Sequence, residues 1–163
     1  GYHLGDHQFW QKSNLHEQVL RVPLIMSVPG FPTGRSDTVV ELVDIYPTVS
    51  ELVGLNIPAE VQGTSLIPVL KRSSSIVKSG ALSFNNGFSY RTPQWHFMRY
   101  TDGSRELYDM QSDAGEFTNL AGNPDYTDQM EQLNTGLKQR LANAGIKDKS
   151  PRSKKIQKTQ PKP

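Results

Sequence analysis

Ala81-Leu82-Ser83-Phe84, Phe88-Ser89-Tyr90-Arg91, Trp95-His96-Phe97-Met98-Arg99-Tyr100 and Glu106-Leu107-Tyr108-Asp109 are four short runs rich in aromatic residues. Asn85-Asn86-Gly87, Thr92-Pro93 and Asp102-Gly103 separate them. Aromatic side chains suit a pleated, half-buried surface, and Asn, Asp, Gly and Pro suit tight turns. Spacers this short leave no room for a parallel crossover, so the stretch is predicted to be an antiparallel meander. A helix is predicted next, over 124–143. Met130, Leu133, Leu137 and Leu141 line one face of it, Asn123 is placed to cap it, and Gly145 lies past its end. A sheet with one helix lying on it is a small α+β unit, assigned here to residues 76–145.

Upstream the pattern is mixed. Residues 1–20 are polar and read as a loop with one helical turn. Val22-Pro23-Leu24-Ile25-Met26-Ser27-Val28 is a continuous apolar run closed by Pro29-Gly30, and it predicts a buried strand with Pro23 near its start or on an edge. Thr38-Val39-Val40 predicts a second, short strand. Leu42, Ile45, Val49, Leu52 and Val53 recur with helical spacing. Pro47 is tolerated only in a first turn, so that helix is predicted to start near Asp44 and to stop at Gly54. Residues 59–70 hold a small loop and a short apolar turn over 66–70, and Lys71-Arg72-Ser73-Ser74-Ser75 reads as a linker. Residues 1–75 are therefore expected to be part of an α/β domain.

Composition limits what the chain can do. Six Phe, six Tyr and two Trp among 163 residues argue against global disorder, although only 35% of residues are hydrophobic. The absence of cysteine excludes disulfides, cysteine-ligated zinc, iron–sulfur clusters and thiol catalysis within the chain. The run at 22–28 is far short of the ~20 residues of a membrane span. The beginning, Gly1-Tyr2-His3, reads as a piece of a longer protein. The net charge is +2, yet residues 146–163 alone carry seven basic side chains and one acid, leaving −4 for the rest. No aromatic is interleaved in that basic segment. It is expected to be a disordered, solvated tail rather than a nucleic-acid surface.

The candidate chemistry gathers near the amino end. His3, His7 and His16 lie close to Asp6, Lys12 and Glu17. A His-x-x-x-His pair can share one helix face and bind metal, but Gly5 weakens a helix there and no third ligand stands at a defined spacing. Read alone, these are loop histidines and Lys12 is a surface lysine. Glu106–Asp109 and Asp113–Glu116 read as turn caps. The chain has neither a glycine-rich phosphate loop nor a Gly-x-Ser-x-Gly elbow.

The order of motifs says more. Gly1-Tyr2-His3-Leu4-Gly5-Asp6-His7, Trp10-Gln11-Lys12, Glu17 and Arg21-Val22-Pro23-Leu24-Ile25 with Pro29-Gly30 come first. Val43-Asp44-Ile45-Tyr46-Pro47-Thr48, Leu52-Val53-Gly54-Leu55 and Gln62-Gly63-Thr64-Ser65-Leu66 follow. Tyr90-Arg91-Thr92, Arg99-Tyr100, Glu106-Leu107-Tyr108-Asp109, Asp113-Ala114-Gly115-Glu116 and Asn119-Leu120 complete the series. Together they resemble the carboxy-terminal third of the type I sulfatase family, whose fold is alkaline-phosphatase-like. The Leu-Gly-Asp-His, Trp-x-Lys and Ser-Tyr-Arg-Thr details are most similar to its iduronate-2-sulfatase branch.

The resemblance implies an α/β fragment of a mixed sheet with helices over 1–75, a small antiparallel subdomain with a helix over 76–145, and the tail over 146–163. It implies a parent enzyme that hydrolyses sulfate esters of a sulfated polysaccharide or glycosaminoglycan. Family members use calcium and a formylglycine made from Cys/Ser-x-Pro-x-Arg. That motif is absent here, and the expected metal ligands would lie upstream of Gly1. The fragment is thus expected to bind no metal or cofactor and to be inactive alone. Lys12 matches the family's sulfate-binding lysine, the one catalytic position carried over. The expected partners are the sulfated carbohydrate and the amino-terminal remainder of the same enzyme, with no nucleic acid and no membrane span, in a periplasmic, secreted or lysosomal setting. The alternatives are a phosphodiesterase or phosphonate hydrolase of the same superfamily, and a non-catalytic module that binds an anionic polymer.

Overall fold

The computed structural model describes residues 1–72 and 76–148. The aromatic runs form one sheet of four antiparallel strands in the order β1-β2-β3-β4: β1 (Ala81–Phe84), β2 (Gly87–Arg91), β3 (Trp95–Tyr100) and β4 (Arg105–Asp109). Its register aligns Leu82, Tyr90, Phe97 and Leu107 across the four strands. Side chains alternate along a strand, so these residues share one face. On that face Phe88, Tyr90, Phe97 and Leu107 pack with Leu133, Leu137 and Leu141 of the helix α4 (Thr127–Asn143). A 3-10 turn, Pro124–Tyr126, leads into α4, and the Asn123 side chain accepts from the Asp125 N–H at 3.0 Å, as its predicted cap. Gly145 ends the helix at φ +64°.

One glycine inside α4 has a packing reason. A Cβ at Gly136 would stand 2.9 Å from the Tyr90 ring, and one at Gly80 would stand 2.8 Å from the same ring on another edge. Tyr90 is thus wedged between two backbones, and its hydroxyl donates to Ser79 Oγ at 3.0 Å. The helix propensity lost at Gly136, about 1 kcal/mol, is the cost of seating that ring.

The opposite face of the sheet is polar. It carries Ser89, Arg91, His96, Met98, Glu106 and Tyr108, by the same alternation. Leu15, fully buried, packs there with Met98, Tyr108 and Met110. Residues 14–17 and 116 therefore cover this face, and they bring charge with them.

The first 72 residues hold short helices: α1 (Glu17–Leu20), α2 (Ile45–Leu52) and α3 (Ile67–Leu70), with 3-10 turns at Asp6–Gln8 and Leu42–Asp44. The Val-Asp-x-x-Pro-Thr stretch has a clear structural task. Asp44 is fully buried; its carboxylate accepts from the N–H groups of Glu41 (2.7 Å) and Thr64 (2.8 Å) and from Lys78 Nζ (2.5 Å). Thr48 Oγ1 donates to the Asp44 carbonyl and accepts from the Leu66 N–H at 2.8 Å. These bonds tie α2 to the loop before α3.

Two expected strands are not formed. Residues 22–28 and 38–40 run without a ladder, and Ile25 is 90% exposed. A strand needs a neighbour for its N–H and C=O groups, and among the described residues only β1–β4 pair. The chain is α/β as expected, with its sheet confined to the meander. The start of the predicted tail is also docked. The Ile146 N–H bonds to the Leu141 carbonyl at 2.9 Å, and Asp148 pairs with Arg99 at 2.6 Å. The rest of that segment, and linker residues 73–75, lie outside the described residues.

A candidate histidine–carboxylate site

All four histidines of the chain converge beside the polar face of the sheet. Two loops carry three of them. The first is closed by His3 N–H to the Gln11 carbonyl and Gly5 N–H to the Phe9 carbonyl, each 3.0 Å. It turns through Gly5, His7 and Gln8, all at positive φ. It delivers His3, which is fully buried, and His7, which is half-buried. His16 caps the start of α1 and is buried. The His7 and His16 rings stack 4.5 Å apart and nearly parallel, and His3 packs edge-on to both, at 5.9 and 6.0 Å. Phe117 covers the other side of His7 at 5.4 Å.

Glu116 is the hub. Its side chain is fully buried, and its backbone sits at φ +61°, a region a non-glycine residue seldom enters. Its Oε2 accepts from His16 Nδ1 and from the Glu17 N–H, both at 2.9 Å. Its Oε1 accepts from His96 Nδ1, and His96 Nε2 pairs with Ser89 Oγ at 2.6 Å. Burial pushes the carboxyl pKa up, but the bonds from His16 and His96, the field of His96 and the Glu17 N–H outweigh it and hold the pKa at about 2. Glu116 is therefore held as a carboxylate at neutral pH.

Around the hub, Glu17 pairs with Arg91 Nε at 3.0 Å, and Glu106 lies 3.9 Å from His16 Nε2. Glu106 also accepts from the Tyr108 hydroxyl at 2.9 Å. Burial, with the field and hydrogen bonding of Glu106, keeps the Tyr100 and Tyr108 phenols protonated well beyond their usual range. His7 Nε2 donates to the Gly115 carbonyl at 2.9 Å, which also accepts from Gln18 Nε2 at 3.3 Å. Three buried polar atoms on this border have no partner: His3 Nδ1, Asn14 Nδ2 and Gln18 Oε1.

The structure thus assembles the sequence-predicted His3, His7 and His16, and it adds His96 and Glu116, which the sequence reading did not connect with them. Glu116 does more than the turn capping expected of Asp113–Glu116. Lys12 stays exposed on the turn after Gln11, and no bond of the cluster involves it. His7, His16 and Glu116 offer three ligand atoms within 4.8 Å of one another, so the cluster could chelate a metal ion; Glu17, His96 and Glu116 form a second such set. The residues do not fit calcium, which takes six to eight oxygen ligands. Formylglycine has no cysteine precursor in this chain.

Comparison with known proteins agrees with the motif order. Residues 5–143 match the sequence family described as N-sulphoglucosamine sulphohydrolase, C-terminal. The chain is 31% identical over 136 residues to a sulfatase of Formosa agariphila, covering 82% of this chain and 27% of that protein. The phosphonate monoester hydrolase SpPMH of Silicibacter pomeroyi superposes with a TM-score of 0.73 at 27% identity, over 86% of this chain and 33% of that one. A 2-O GAG sulfatase superposes with a TM-score of 0.58 at 29% identity, over 63% of this chain and 24% of that one. The chain spans about a quarter of the length of the curated relatives it matches. None of these three carries the name iduronate-2-sulfatase. The match over 5–143 assigns the motif series to one lineage: the chain belongs to the sulfatase family, in its N-sulphoglucosamine sulphohydrolase carboxy-terminal type.

Proposed function

We propose that the chain is the carboxy-terminal part of an enzyme that hydrolyses sulfate esters, and that Lys12 is its contribution to the reacting centre. The match to the sulfatase family over 5–143 carries this reading. As the S–O bond of a sulfate ester breaks, its electron pair leaves with the departing oxygen and negative charge grows there. A fixed ammonium stabilises that charge more in the transition state than in the ground state. Lys12 is exposed, as a group that meets a substrate must be. The formylglycine nucleophile and the calcium site belong, on this reading, to the amino-terminal remainder of the enzyme. The present chain alone is then inactive. A sulfated polysaccharide or glycosaminoglycan is the proposed substrate, handled in an iduronate-2-sulfatase-like manner. The 2-O GAG sulfatase among the relatives supports that class. The proposed setting is periplasmic, secreted or lysosomal.

The second reading, a phosphonate or phosphodiester hydrolase, is favoured by the superposition on the phosphonate monoester hydrolase. Steady-state kinetics on an enzyme carrying this chain separate the two. The sulfatase reading expects an aryl sulfate to be turned over with higher kcat/KM than an aryl phosphonate. It also expects Lys12→Ala to lower kcat by about 10²–10³, the usual cost of one fixed electrostatic group. Lys12→Arg should restore little, because a planar fork does not replace a compact ammonium. Wild-type turnover by Lys12→Ala would refute the role of Lys12, and a preference for the phosphonate would refute the sulfatase reading.

A further inference from the structure

We propose that His7, His16 and Glu116 form a binding site for one divalent transition ion of the zinc class, separate from any calcium of the parent enzyme. The donor set decides the ion. Two imidazoles and one carboxylate suit zinc and its neighbours, whereas calcium takes oxygen alone. One ring nitrogen each of His7 and His16 and a Glu116 oxygen lie within 4.8 Å of one another, and the His16 Nδ1–Glu116 Oε2 pair is already 2.9 Å apart. This inference does not rest on the sulfate-ester reading.

Each ligand can be released to a metal without orphaning its present partner. Moving the His7 proton to Nδ1 frees Nε2, and the Gly115 carbonyl keeps its bond from Gln18 Nε2. Moving the His16 proton to Nε2 frees Nδ1, and that N–H then faces Glu106, 3.9 Å away. Glu116 Oε2 keeps the Glu17 N–H, and Oε1 keeps His96, itself backed by Ser89. Carboxylate and hydroxyl partners of this kind fix ligand orientation in metal sites. They are in place here before any ion arrives.

Two further observations point the same way. His7 and Glu116 both sit at positive φ, 51° and 61°, so both ligand-bearing backbones hold conformations that cost energy. His3 packs edge-on against His7 and His16, and its buried Nδ1 has no partner. A coordination position left open by the three ligands falls to water.

The test uses the full chain, stripped with a chelator and then titrated with zinc or calcium by calorimetry. Nitrogen-15 spectra of the imidazoles are recorded alongside. One equivalent of zinc should bind, a large excess of calcium should not displace it, and the His7 and His16 nitrogens should move. His7→Phe keeps a ring stacked against Phe117 and His16 and removes only the donor. It should weaken zinc binding by more than about 10-fold, since losing even an outer partner costs about that much. His16→Gln should do the same. Circular dichroism establishes that each variant is folded. Failure of the folded wild-type chain to bind zinc would overturn the proposal. So would affinity unchanged in both variants, or zinc binding that leaves the His7 and His16 nitrogens unmoved.

Discussion

Residues 76–145 bury Phe88, Tyr90, Phe97 and Leu107 of the sheet against Leu133, Leu137 and Leu141 of α4. Residues 1–72 bury only Leu15, Leu66 and Ile67 among their large apolar side chains, and leave Ile25, Leu42, Val49, Val53 and Leu55 exposed. What they bury instead is largely polar: His3, His16, Asp44, Thr48 and Ser50. They are fastened to the sheet and helix mostly by carboxylates. Glu41 accepts from Lys78, Arg140 and the Leu82 N–H; Asp44 accepts from Lys78; Glu17 holds Arg91. Glu116 reaches back from the second region to His16 and Glu17. Apolar burial tolerates acid, but a joint made of carboxylates is lost once they are protonated. One region is cohesive in itself, and the other is held by its fastenings.

The sharpest way to break this contrast is Lys78→Met. Lys78 is 5% exposed and bridges Glu41 and Asp44, so its loss strands a buried carboxylate, with an expected cost of about 3–5 kcal/mol. Limited proteolysis should then cut around α2 early while the meander persists. A single concerted loss of both regions would break the contrast. Leu137→Ala, at a fully buried position, should cost about 2–5 kcal/mol. Denaturant unfolding followed by Trp95 fluorescence reads it, because Trp95 packs against Tyr126 beside the core.

Acid should act on the joint through Glu116. Its carboxyl is lowered from an ordinary 4.5 to about 2 on folding. Its contribution to stability is therefore full above about pH 4.5 and is lost as pH falls toward 2. Hydrogen exchange of the metal-free chain across that window should show residues 14–18 losing protection before β2 and β3. Equal loss in both would contradict the assignment. The smallest effect is expected at Ile25→Ser. A side chain 90% exposed should change stability by no more than about 0.5 kcal/mol in thermal melts, although the sequence reads it as core.

The sheet and α4 were legible because their signals are local. Turn residues fall between aromatic runs, and Met130, Leu133, Leu137 and Leu141 repeat at helical spacing. Asp44 and Gly54 likewise bracketed α2 (Ile45–Leu52), since caps and breakers act within one turn. The run at 22–28 has the composition of a buried strand, but burial depends on a partner that its own residues cannot supply. The cluster was half legible. His3, His7 and His16 stand close in sequence, whereas His96 and Glu116 join them only through sheet register and a residue at φ +61°. A signal was available for His96: it alternates with Trp95 and Phe97, which sets it on the face opposite the aromatic core.

The sequential strand order also governs when things happen. Each strand pairs with the next across a tight turn, and α4 follows a short way downstream, so the core closes only small loops. The contacts that fasten the first region close far larger ones: 74 residues for Glu17–Arg91, 99 for Glu41–Arg140 and 100 for His16–Glu116. Loop-closure entropy grows with that separation, and contacts between distant residues slow folding. The meander and α4 are thus the natural nucleus, and the histidines meet Glu116 last. An ion that recognises His7, His16 and Glu116 together then binds only chains that have finished folding. It would slow unfolding while leaving the refolding rate where it was.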